Sequence, residues 1–387
     1  MARCTACIAN EIHEPEAALD LRPTPKYHRS LARGLYLVIA TAVLAVCLQP
    51  AAALGAGSDD GAPRAPRDDT SWLQGKLDGG GKVVLKKLSD GACYQTYGLW
   101  VSKSKTTIQG KSGACIQYLG PGPVRLFSSD GDAIASNAIF FVNRSSTGSG
   151  TPQRISISNL QLNVPNGTDG YGVLVAGSDV TLSNLKITGS PLDAVTVTGR
   201  ANGRGYAGPV VIKGSRFIGA RRNGISVVGA IGVTIDSNTI TGAGNQTFLG
   251  LASVSYTGPW AGIDIEPDTV SYPVKKVTVS NNTISDNGGA GILMALATNF
   301  GLPAVADQIK LEGNTITRNG QSSGPFLRGG ICLQGGQADG NGRLSVTSNQ
   351  IVANGGFGLC RHPEGFNMQI AISKNTIRDN TDGDSAW

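Results

Sequence analysis

The chain has 387 residues, of which 54 are glycine, 40% are hydrophobic and 16% are charged, with a formal net charge of +6. Proteins ordinarily contain about 7% Gly and about 25% charged residues, so this composition excludes a charge-rich helical protein, and the hydrophobic share excludes a disordered chain. Only three histidines occur, which argues against a metal centre built from histidine. Lys- and Arg-rich runs with interleaved aromatic residues are missing, so we do not expect nucleic acid as a partner.

The first 53 residues have the layout of a secretory signal peptide. Basic residues between positions 26 and 33 precede an apolar run over 35–48, and small residues follow it. The run is too short to span a membrane comfortably as a helix. We therefore expect cleavage after Ala53 or Ala56 and a protein that is secreted or held in the cell envelope, with no membrane association after cleavage. The alternatives are an uncleaved anchor and a lipoprotein-type cleavage before Cys47.

Residues 54–71 include a stretch rich in Pro, Asp and Arg and are interpreted as a flexible lead-in, and residues 72–387 as one domain. In that domain a phrase recurs: a β-branched strand, Asn, an apolar residue, a Gly/Asn turn, then Gly-Ile and another short strand. Repeated units of this size cannot bury a face alone, so they must stack, and short strands with Val/Ile alternation predict a β-solenoid. The phrase reads ISISNLQL at Ile155, VTLSNLKI at Val180, VVIKGSRF at Val210, VTIDSNTI at Val233, VTVSNNTI at Val277, IKLEGNTI at Ile309, LSVTSNQI at Leu344 and IAISKNTI at Ile370.

The recurring Asn has a physical reason. At a sharp corner Asn tolerates left-handed backbone angles. When coils stack, its amide can also hydrogen-bond to the Asn of the next coil. We therefore predict a ladder of side-chain amides along one corner. Its members are Asn159, Asn184, Ser215 as a substitute, Asn238, Asn282, Asn314, Asn349 and Asn375.

These repeats resemble the right-handed parallel β-helix of the pectin lyase-like superfamily over about residues 72–380. The opening stretch LQGKLDGGGKVVLKKLSDGACYQTYGLWVSKSKTTIQGKSGACIQYL resembles the first coils of such proteins. The resemblance implies an all-β fold, a right-handed parallel β-helix (solenoid) with a short N-terminal capping helix. It does not fix the activity, because lyases, hydrolases, epimerases, phage tailspikes and adhesins share this scaffold.

The cysteines test the register of the coils. GACYQ around Cys93 and GACIQ around Cys115 repeat one phrase 22 residues apart, and the Gly-Ile strands place Cys332 and Cys360 at equivalent positions 28 apart. Stacked strands lie about 4.8 Å apart, within bridging range for two Cα atoms. Four cysteines remain after export, an even number. We therefore predict the disulfides Cys93–Cys115 and Cys332–Cys360, with stacked free thiols as the alternative.

One Gly-Ile strand combines two carboxylates on its outward face. In these strands the second and fourth residues point inward and the third and fifth outward, and in WAGIDIEPD the outward residues are Asp264 and Glu266. Their Cα atoms should lie about 6.6 Å apart, which leaves open both the ~5 Å carboxyl spacing of retaining glycosidases and the roughly 6.5–9.5 Å of inverting ones. We predict that this solvent-facing pair is catalytic. The alternatives are a solvated strand edge and a Ca²⁺ site that also uses Asp268; we expect no other metal or cofactor.

The separation of 44 residues between Asn238 and Asn282 is the longest in the array, and its additional residues flank the acidic strand on both sides. Long insertions in a regular scaffold commonly carry function. Their aromatic rings suit the apolar faces of sugars, and arginines beside the strands could orient a carboxylated sugar. Alternatively, the rings only seal the insertion and the arginines are solvated. The predicted substrate-binding residues are Tyr256, Trp260, Tyr272, Arg222 and Arg328.

The catalytic phrases of three enzyme groups with this fold are missing. There is no Lys beside Asp264 as in pectate lyases, no Gly-His-Gly as in polygalacturonases and no Asp-Pro-His as in mannuronan epimerases. We therefore predict an exported carbohydrate-active protein that cleaves glycosidic bonds of a polysaccharide with the pair Asp264 and Glu266. The alternatives are a polysaccharide lyase or C5-epimerase that acts on a uronate polymer, and a non-catalytic carbohydrate-binding or adhesion solenoid.

Overall fold

The computed structural model describes residues 67–120, 126–129, 132–135, 138–143, 151–165, 170–199, 207–249, 258–267, 273–296, 305–321, 328–335, 342–361 and 368–386. They all belong to one unit, Arg64–Trp387. The expected signal peptide, residues 1–53, and most of the lead-in, residues 54–71, lie outside the described residues. No helix in the described part of the chain is both long enough and apolar enough to cross a bilayer.

Three parallel sheets of ten strands each form the sides of a coil in the described residues, and each full turn contributes one strand to each sheet. Sheet A contains β1 (Lys82–Leu85), β4 (Thr107–Gly110), β9 (Gln153–Ser158), β12 (Ser178–Ser183), β15 (Val210–Lys213), β18 (Ala230–Asp236), β21 (Val274–Ser280), β24 (Ala306–Glu312), β27 (Arg343–Thr347) and β30 (Gln369–Ser373). Sheet B contains β2 (Tyr94–Thr96), β5 (Cys115–Tyr118), β10 (Gln161–Asn163), β13 (Lys186–Thr188), β16 (Arg216–Ile218), β19 (Thr239–Thr241), β22 (Thr283–Ser285), β25 (Thr315–Thr317), β28 (Gln350–Val352) and β31 (Thr376–Arg378). Sheet C contains β3 (Leu99–Val101), β8 (Ala138–Val142), β11 (Tyr171–Val175), β14 (Val195–Val197), β17 (Ile225–Val227), β20 (Ile263–Ile265), β23 (Ile292–Ala295), β26 (Gly329–Gln334), β29 (Phe357–Arg361) and β32 (Ser385–Ala386).

A short helix, α1 (Thr70–Asp78), precedes the first coil. Its Leu73 and Leu77 are buried and belong to the same apolar cluster as the coil interior, so the predicted capping helix is confirmed. It begins two residues before the expected domain start at 72. A four-residue helix, α2 (Gln246–Leu249), and an antiparallel hairpin of β6 (Leu126–Ser129) and β7 (Asp132–Ala135) interrupt the regular coil.

The interior is a continuous stack of aliphatic residues. Period-two alternation buries every second residue in strands such as β18 and β21, and the parallel register places Val233 over Val277 and Ile235 over Val279. All four side chains are fully buried. Each coil therefore covers the apolar face that its neighbour cannot bury by itself, which is why the repeat forms a solenoid.

The corner between sheets A and B uses two adjacent residues with different roles. The first has left-handed backbone angles, as at Ser237 with φ 56°, and the second is a buried amide, as at Asn238. Asn238 Nδ2 donates to Asn282 Oδ1 at 3.0 Å, and the same bond repeats through Asn314 and Asn349 to Asn375. The predicted ladder is therefore present in these coils.

The first two predicted members bond to each other but lie outside the buried ladder: Asn184 Nδ2 donates to Asn159 Oδ1 at 3.3 Å. Asn159 and Asn184 have φ of 57° and 51° and occupy the left-handed position, and they are exposed. The ladder position after them is taken by Leu160 and Leu185, which are buried. The prediction merged two neighbouring positions because Asn suits both of them.

A second amide ladder, not predicted from the sequence, lies at the corner between sheets B and C. Asn287 Nδ2 donates to Asn319 Oδ1 at 2.7 Å, and the bond repeats from Asn319 to Asn354 and from Asn354 to Asn380. Each member again follows a residue with positive φ, such as Asp286 at 59°. Buried polar groups of adjacent coils thus satisfy one another at two corners.

Both predicted disulfides are formed. Cys93 and Cys115 have Cα atoms 4.7 Å apart, and those of Cys332 and Cys360 are 4.6 Å apart. Cys332 and Cys360 are direct partners in the register of β26 and β29, so the bridge joins neighbouring coils. The alternative of stacked free thiols is excluded for both pairs.

The Gly-Ile phrase at the start of the sheet C strands has a steric cause. A Cβ at Gly262 would lie 2.5 Å from Ile284 Cγ2 and 2.6 Å from the carbonyl oxygen of Gly291. The chain therefore passes so close to the second amide ladder and to the next coil that a side chain does not fit. This close approach fixes the register of the strand that carries the acidic residues.

Candidate active site on the outer face of sheet C

The outer face of sheet C carries the predicted catalytic pair. In β20, Ile263 and Ile265 belong to the interior cluster, whereas Asp264 lies between them on the opposite face. Asp264 is in register with Ser226 of β17 and Leu293 of β23. The side-chain direction predicted from alternation is thus confirmed for this strand.

Along the coil axis this face changes from apolar to polar and back to apolar. The polar centre is formed by β14, β17 and β20, where Thr196, Ser226 and Asp264 occupy one column. The apolar cluster on its N-terminal side contains Trp100, Ala138, Phe141, Leu174 and Ala176. The apolar cluster on its C-terminal side contains Ala261, Ala290, Leu293, Ala295, Cys332 and Cys360.

Asp264 is buried, not displayed to solvent as the sequence led us to expect. Its residue is 1% exposed, and Oδ2 accepts a hydrogen bond of 3.1 Å from Asn223 Nδ2. Asn223 also donates to Ser226 Oγ and accepts from the backbone N–H of Ala261, which fixes the amide in one orientation. The amide therefore positions one carboxylate oxygen of Asp264.

Glu266 follows the strand directly and is less buried than Asp264. Its backbone N–H donates to the carbonyl oxygen of Val227 at 3.0 Å, which continues the pairing of β17 with β20. The side chain is of intermediate exposure. The pair thus combines one enclosed carboxylate with one that solvent reaches.

A third carboxylate, Asp193, belongs to the same polar centre and was missed in the sequence. It is fully buried and accepts two hydrogen bonds from Arg222, at 2.7 Å from Nε and 2.6 Å from Nη2. It also accepts from Thr196 Oγ1 and from the backbone N–H of Asn223. Asp193 precedes its strand at the position that Asn223 and Ala261 occupy in the next coils. The comparison of the Gly-Ile strands in the sequence began one residue later, at Ala194, and so did not include this position.

Arg222, a predicted substrate-binding residue, has a partner that the sequence analysis did not predict. Its guanidinium forms a bidentate ion pair with Asp193, and its side chain is 30% exposed. The charge of Asp193 is the largest cause that raises the pKa of Arg222, with smaller contributions from Tyr171 and Asp264, and burial opposes them. The structure thus places Arg222 near Asp264, while Asp193 neutralises its charge.

The long excursion flanks β20 on both sides, as predicted. Residues 242–262 connect β19 to β20, and residues 266–273 connect β20 to β21. Trp260 is 8% exposed with φ 60°, and a Cβ at Gly244 would collide with its side chain. Trp260 thus packs against its own corner, which supports the alternative that it seals the insertion.

The remaining predicted residues are distributed differently. Arg328 is exposed and precedes β26, two strands beyond β20, or about 10 Å by the strand spacing. Tyr256, Tyr272 and Asp268 lie outside the described residues. Within the described ranges, no group of three or more His, Cys, Asp or Glu side chains could hold a metal ion.

The stacked coils and their three parallel sheets define a right-handed parallel β-helix protein. The family described as "Right handed beta helix region" matches residues 137–387, more than half of the chain, and the protein belongs to that family. The resemblance to the pectin lyase-like superfamily is confirmed for the fold. No curated protein matches the sequence significantly.

Several solved structures have similar backbones at low sequence identity. A 1,3-alpha-1,4-beta-D-galactose-4-sulfate-3,6-anhydro-D-galactose-2-sulfate 4 galactohydrolase is 10% identical, with a TM-score of 0.53, over 82% of this chain and 86% of that chain. An alginate lyase from Paenibacillus sp. str. FPU-7 is 13% identical, with a TM-score of 0.48, over 82% and 97%. The surface protein and adhesin PfbA of Streptococcus pneumoniae is 13% identical, with a TM-score of 0.48, over 83% and 96%. At these identities the likeness concerns the fold alone.

Proposed function

We propose that the protein is an exported enzyme that hydrolyses glycosidic bonds of a polysaccharide with Asp264 and Glu266. The observation that carries the proposal is the burial of Asp264 within a network of polar side chains on an outer face that is otherwise apolar. Long connections flank the acidic strand on both sides, and long insertions in a regular scaffold commonly carry function.

Burial of carboxylates on this face has no evident structural benefit. A buried carboxylate costs several kcal/mol unless it is paired or hydrogen-bonded. Neighbouring coils fill the column of Asp264 with Ser226 and Leu293, so the scaffold does not require an acid there. Buried acids with a dedicated hydrogen-bonding partner are typical of functional sites.

The two carboxyl groups differ in a way that suits acid and base chemistry. Asp264 accepts an N–H bond from Asn223, which holds one carboxylate oxygen in place, and in this proposal it acts as nucleophile or as base toward water. Glu266, at the solvent side, donates a proton to the glycosidic oxygen as the C–O bond breaks. Asn223 and the pair Asp193 and Arg222 position Asp264. Retention of the anomeric configuration in the product would indicate that Asp264 is the nucleophile, and inversion would indicate that it is the base.

The fold, the two disulfides and the N-terminal sequence support a polysaccharide substrate outside the cell. One solved structure of this fold is named a galactohydrolase and another an alginate lyase. Two disulfides agree with an oxidising compartment, and residues 1–53 have the layout of a signal peptide. We propose secretion or retention in the cell envelope.

The test measures reducing-end release from a panel of polysaccharides by the mature protein and by Asp264→Asn and Glu266→Gln. We expect each substitution to lower the rate by at least about a hundredfold with the thermal midpoint nearly unchanged. Glu312→Gln, on the outer face of sheet A, is the matched control and should keep full activity. Chelation of divalent metals should leave the rate unchanged; inhibition would instead favour the Ca²⁺ alternative.

Three outcomes would contradict hydrolysis. Release that persists in both carboxylate variants would remove them from the chemistry. New ultraviolet absorbance from an unsaturated uronate would indicate elimination by a lyase. Binding of a glycan without any release by the wild-type protein would indicate an adhesion or carbohydrate-binding solenoid.

A further inference from the structure

The outer face of sheet B differs in charge from the outer faces of the other two sheets. Strands of sheet A contain acids such as Asp236 and Glu312, and β20 of sheet C contains Asp264. In the described chain, the ten strands of sheet B contain no acidic residue. They contain exposed bases, among them Lys186 in β13 and Arg216 in β16. The charge on this side of the coil therefore favours an anionic ligand.

Lys186 and Arg216 are direct partners in the register of β13 and β16. Both side chains point outward, because Ile187 and Phe217 beside them are buried in the interior cluster. Like charges directly opposite each other in adjacent strands destabilise a sheet. Within the described residues, neither side chain forms an ion pair or a hydrogen bond that would offset this cost. The fold therefore gives no reason for the pair, which indicates a role in binding.

A third base, Lys213, ends β15 and is exposed at the corner that leads to Arg216. The next coil places Asp236 in register with Lys213. The carboxylate of Asp236 accepts hydrogen bonds from three neighbouring side chains. The bond from Ser280 is the largest cause that lowers the pKa of Asp236, and Lys213 makes a smaller contribution. Asp236 is thus satisfied by its own neighbours, and we call Lys186, Lys213 and Arg216 the basic cluster.

Uncharged polar side chains continue the face on both sides of the basic cluster. Amides precede it toward the N-terminus and hydroxyls follow it toward the C-terminus, and all of them are exposed or half-exposed. They include the amides Gln117, Gln161 and Asn163 and the hydroxyls of Thr239, Thr283 and Thr315. Seven strand spacings separate β5 from β28, or about 34 Å. Such rows can donate to and accept from the hydroxyl groups of an extended sugar chain.

The margin of this face toward sheet A is open. In each coil from β9 onward, the corner between sheets A and B consists of two residues, as at 184–185 and 214–215. No long connection therefore rises beside the face on that side of the described coils. A polymer can lie across the strands, parallel to the coil axis, over the whole length of the polar rows.

The outward side chains of sheet B also favour a polysaccharide over other polyanions. The aromatic residues of its described strands, Tyr94, Tyr118 and Phe217, are buried. Single-stranded nucleic acids are generally bound by exposed aromatic rings on which bases stack. The apolar outward residues Ile218 and Val352 are half-exposed and lie four strands apart, so they form no patch that could insert into a lipid surface.

We propose that the outer face of sheet B binds a polysaccharide that carries carboxylate groups, with Lys186 and Arg216 as its central contacts. The guanidinium of Arg216 suits bidentate binding of a carboxylate, and Lys186 and Lys213 add point charges. Sheet B is a different side of the coil from sheet C, so this surface is separate from Asp264 and Glu266. The inference goes beyond the proposed hydrolysis and does not depend on it.

The experiment compares polygalacturonate oligosaccharides with their methyl esters, which have the same backbone without the charge. Binding to the full mature chain is measured by calorimetry at low and high salt without divalent metals. The chain carries Asp264→Asn to prevent cleavage during the titration. We expect the free acids to bind with at least about tenfold higher affinity than the esters at low salt. High salt should narrow this gap because it screens attraction between exposed charges.

Variants of sheet B identify the face that binds. Joint replacement Lys186→Gln and Arg216→Gln should lower the affinity for the free acids at least about tenfold. Arg216→Lys keeps the charge but loses the bidentate geometry, and it should lower the affinity less. Lys310→Gln, at an exposed position of sheet A, is the matched control and should leave the affinity unchanged. Without ligand, the thermal midpoint of the joint variant should stay the same or rise, because repulsion is relieved.

Several outcomes would overturn the proposal. These are equal affinity for acids and esters, an equal loss in Lys310→Gln and in the joint variant, and tighter binding of single-stranded DNA or of phosphatidylglycerol vesicles than of the free acids. A lower thermal midpoint of the joint variant would assign the pair a structural role. The two proposals fail separately: binding that is lost in the joint variant supports this one even if the wild-type protein releases no reducing ends from any glycan.

Discussion

Asn314 lies in the middle of the first amide ladder, and its replacement by Ala should destabilise the protein strongly. Its Oδ1 accepts from the backbone N–H and from Nδ2 of Asn282, each at 3.0 Å. Its Nδ2 donates at 2.9 Å to the carbonyl oxygen of Val279 and to Asn349 Oδ1. The residue is fully buried, so water does not replace these bonds. At about 1 kcal/mol for each of these bonds, we expect a loss of about 4 kcal/mol in the free energy of unfolding.

Urea unfolding followed by far-ultraviolet circular dichroism measures this loss, and Asn375→Ala is the matched control. Asn375 accepts the same two bonds from Asn349 but is partly exposed at the end of the ladder. We therefore expect the control to lose about 1–2 kcal/mol, because water replaces part of the bonding. A loss below about 1 kcal/mol for Asn314→Ala, or an equal loss for both variants, would refute a stabilising role for the ladder.

The volume of the side chain is tested by Asn314→Leu. Leu occupies the same corner position at Leu160 and Leu185, so it fits this part of the coil. It fills the space without hydrogen bonds, and the backbone N–H of Asn282 stays unpaired. We expect a loss close to that of Asn314→Ala; recovery of wild-type stability would show that packing, not hydrogen bonding, stabilises the corner.

Two further predictions concern stability. Arg222→Gln leaves the buried Asp193 without its ion pair and should lower the free energy of unfolding by about 3 kcal/mol in urea titrations, whereas the exposed Arg328→Gln should change it by less than about 0.5 kcal/mol; equal effects would contradict the role of the pair. Joint replacement of Cys332 and Cys360 by Ser removes a cross-link over 28 residues and should lower the free energy of unfolding by about 3 kcal/mol. An unchanged melting temperature would contradict this prediction.

The architecture was predictable because its cause is repeated in the sequence. Each turn needs a β-branched strand, a corner residue that accepts left-handed angles and a Gly where coils approach closely, and eight phrases between Ile155 and Ile370 carry these signals. The disulfides were predictable for the same reason, since equal phrases around Cys93 and Cys115 must stack. Period-two alternation likewise gave the side of the sheet on which Asp264 lies.

The details of the corners were not predictable, because one residue type satisfies two requirements. Asn159 serves as a left-handed residue and Asn238 as a ladder amide, and both precede an apolar residue by one or two positions. The second ladder escaped notice because Asn287 and its equivalents lie in turns rich in Gly and Asn, where Asn has an ordinary local explanation.

The environment of the candidate site depends on contacts between neighbouring coils whose residues are far apart in the sequence. Asp193 and Arg222 are 29 residues apart, and Asn223 and Asp264 are 41 apart. Alternation along a strand shows which face a side chain occupies but not what covers it. The burial of Asp264 and the pairing of Arg222 therefore required the structure.

The long excursion changes nothing in the strands that it joins. Across it, β19 keeps its register with β22 and β17 with β20, so Thr239 still lies over Thr283 and Ser226 over Asp264. Insertions at this corner thus leave the register of the stacked strands unchanged. These loops can therefore differ in length or sequence while the scaffold that holds the acids stays the same.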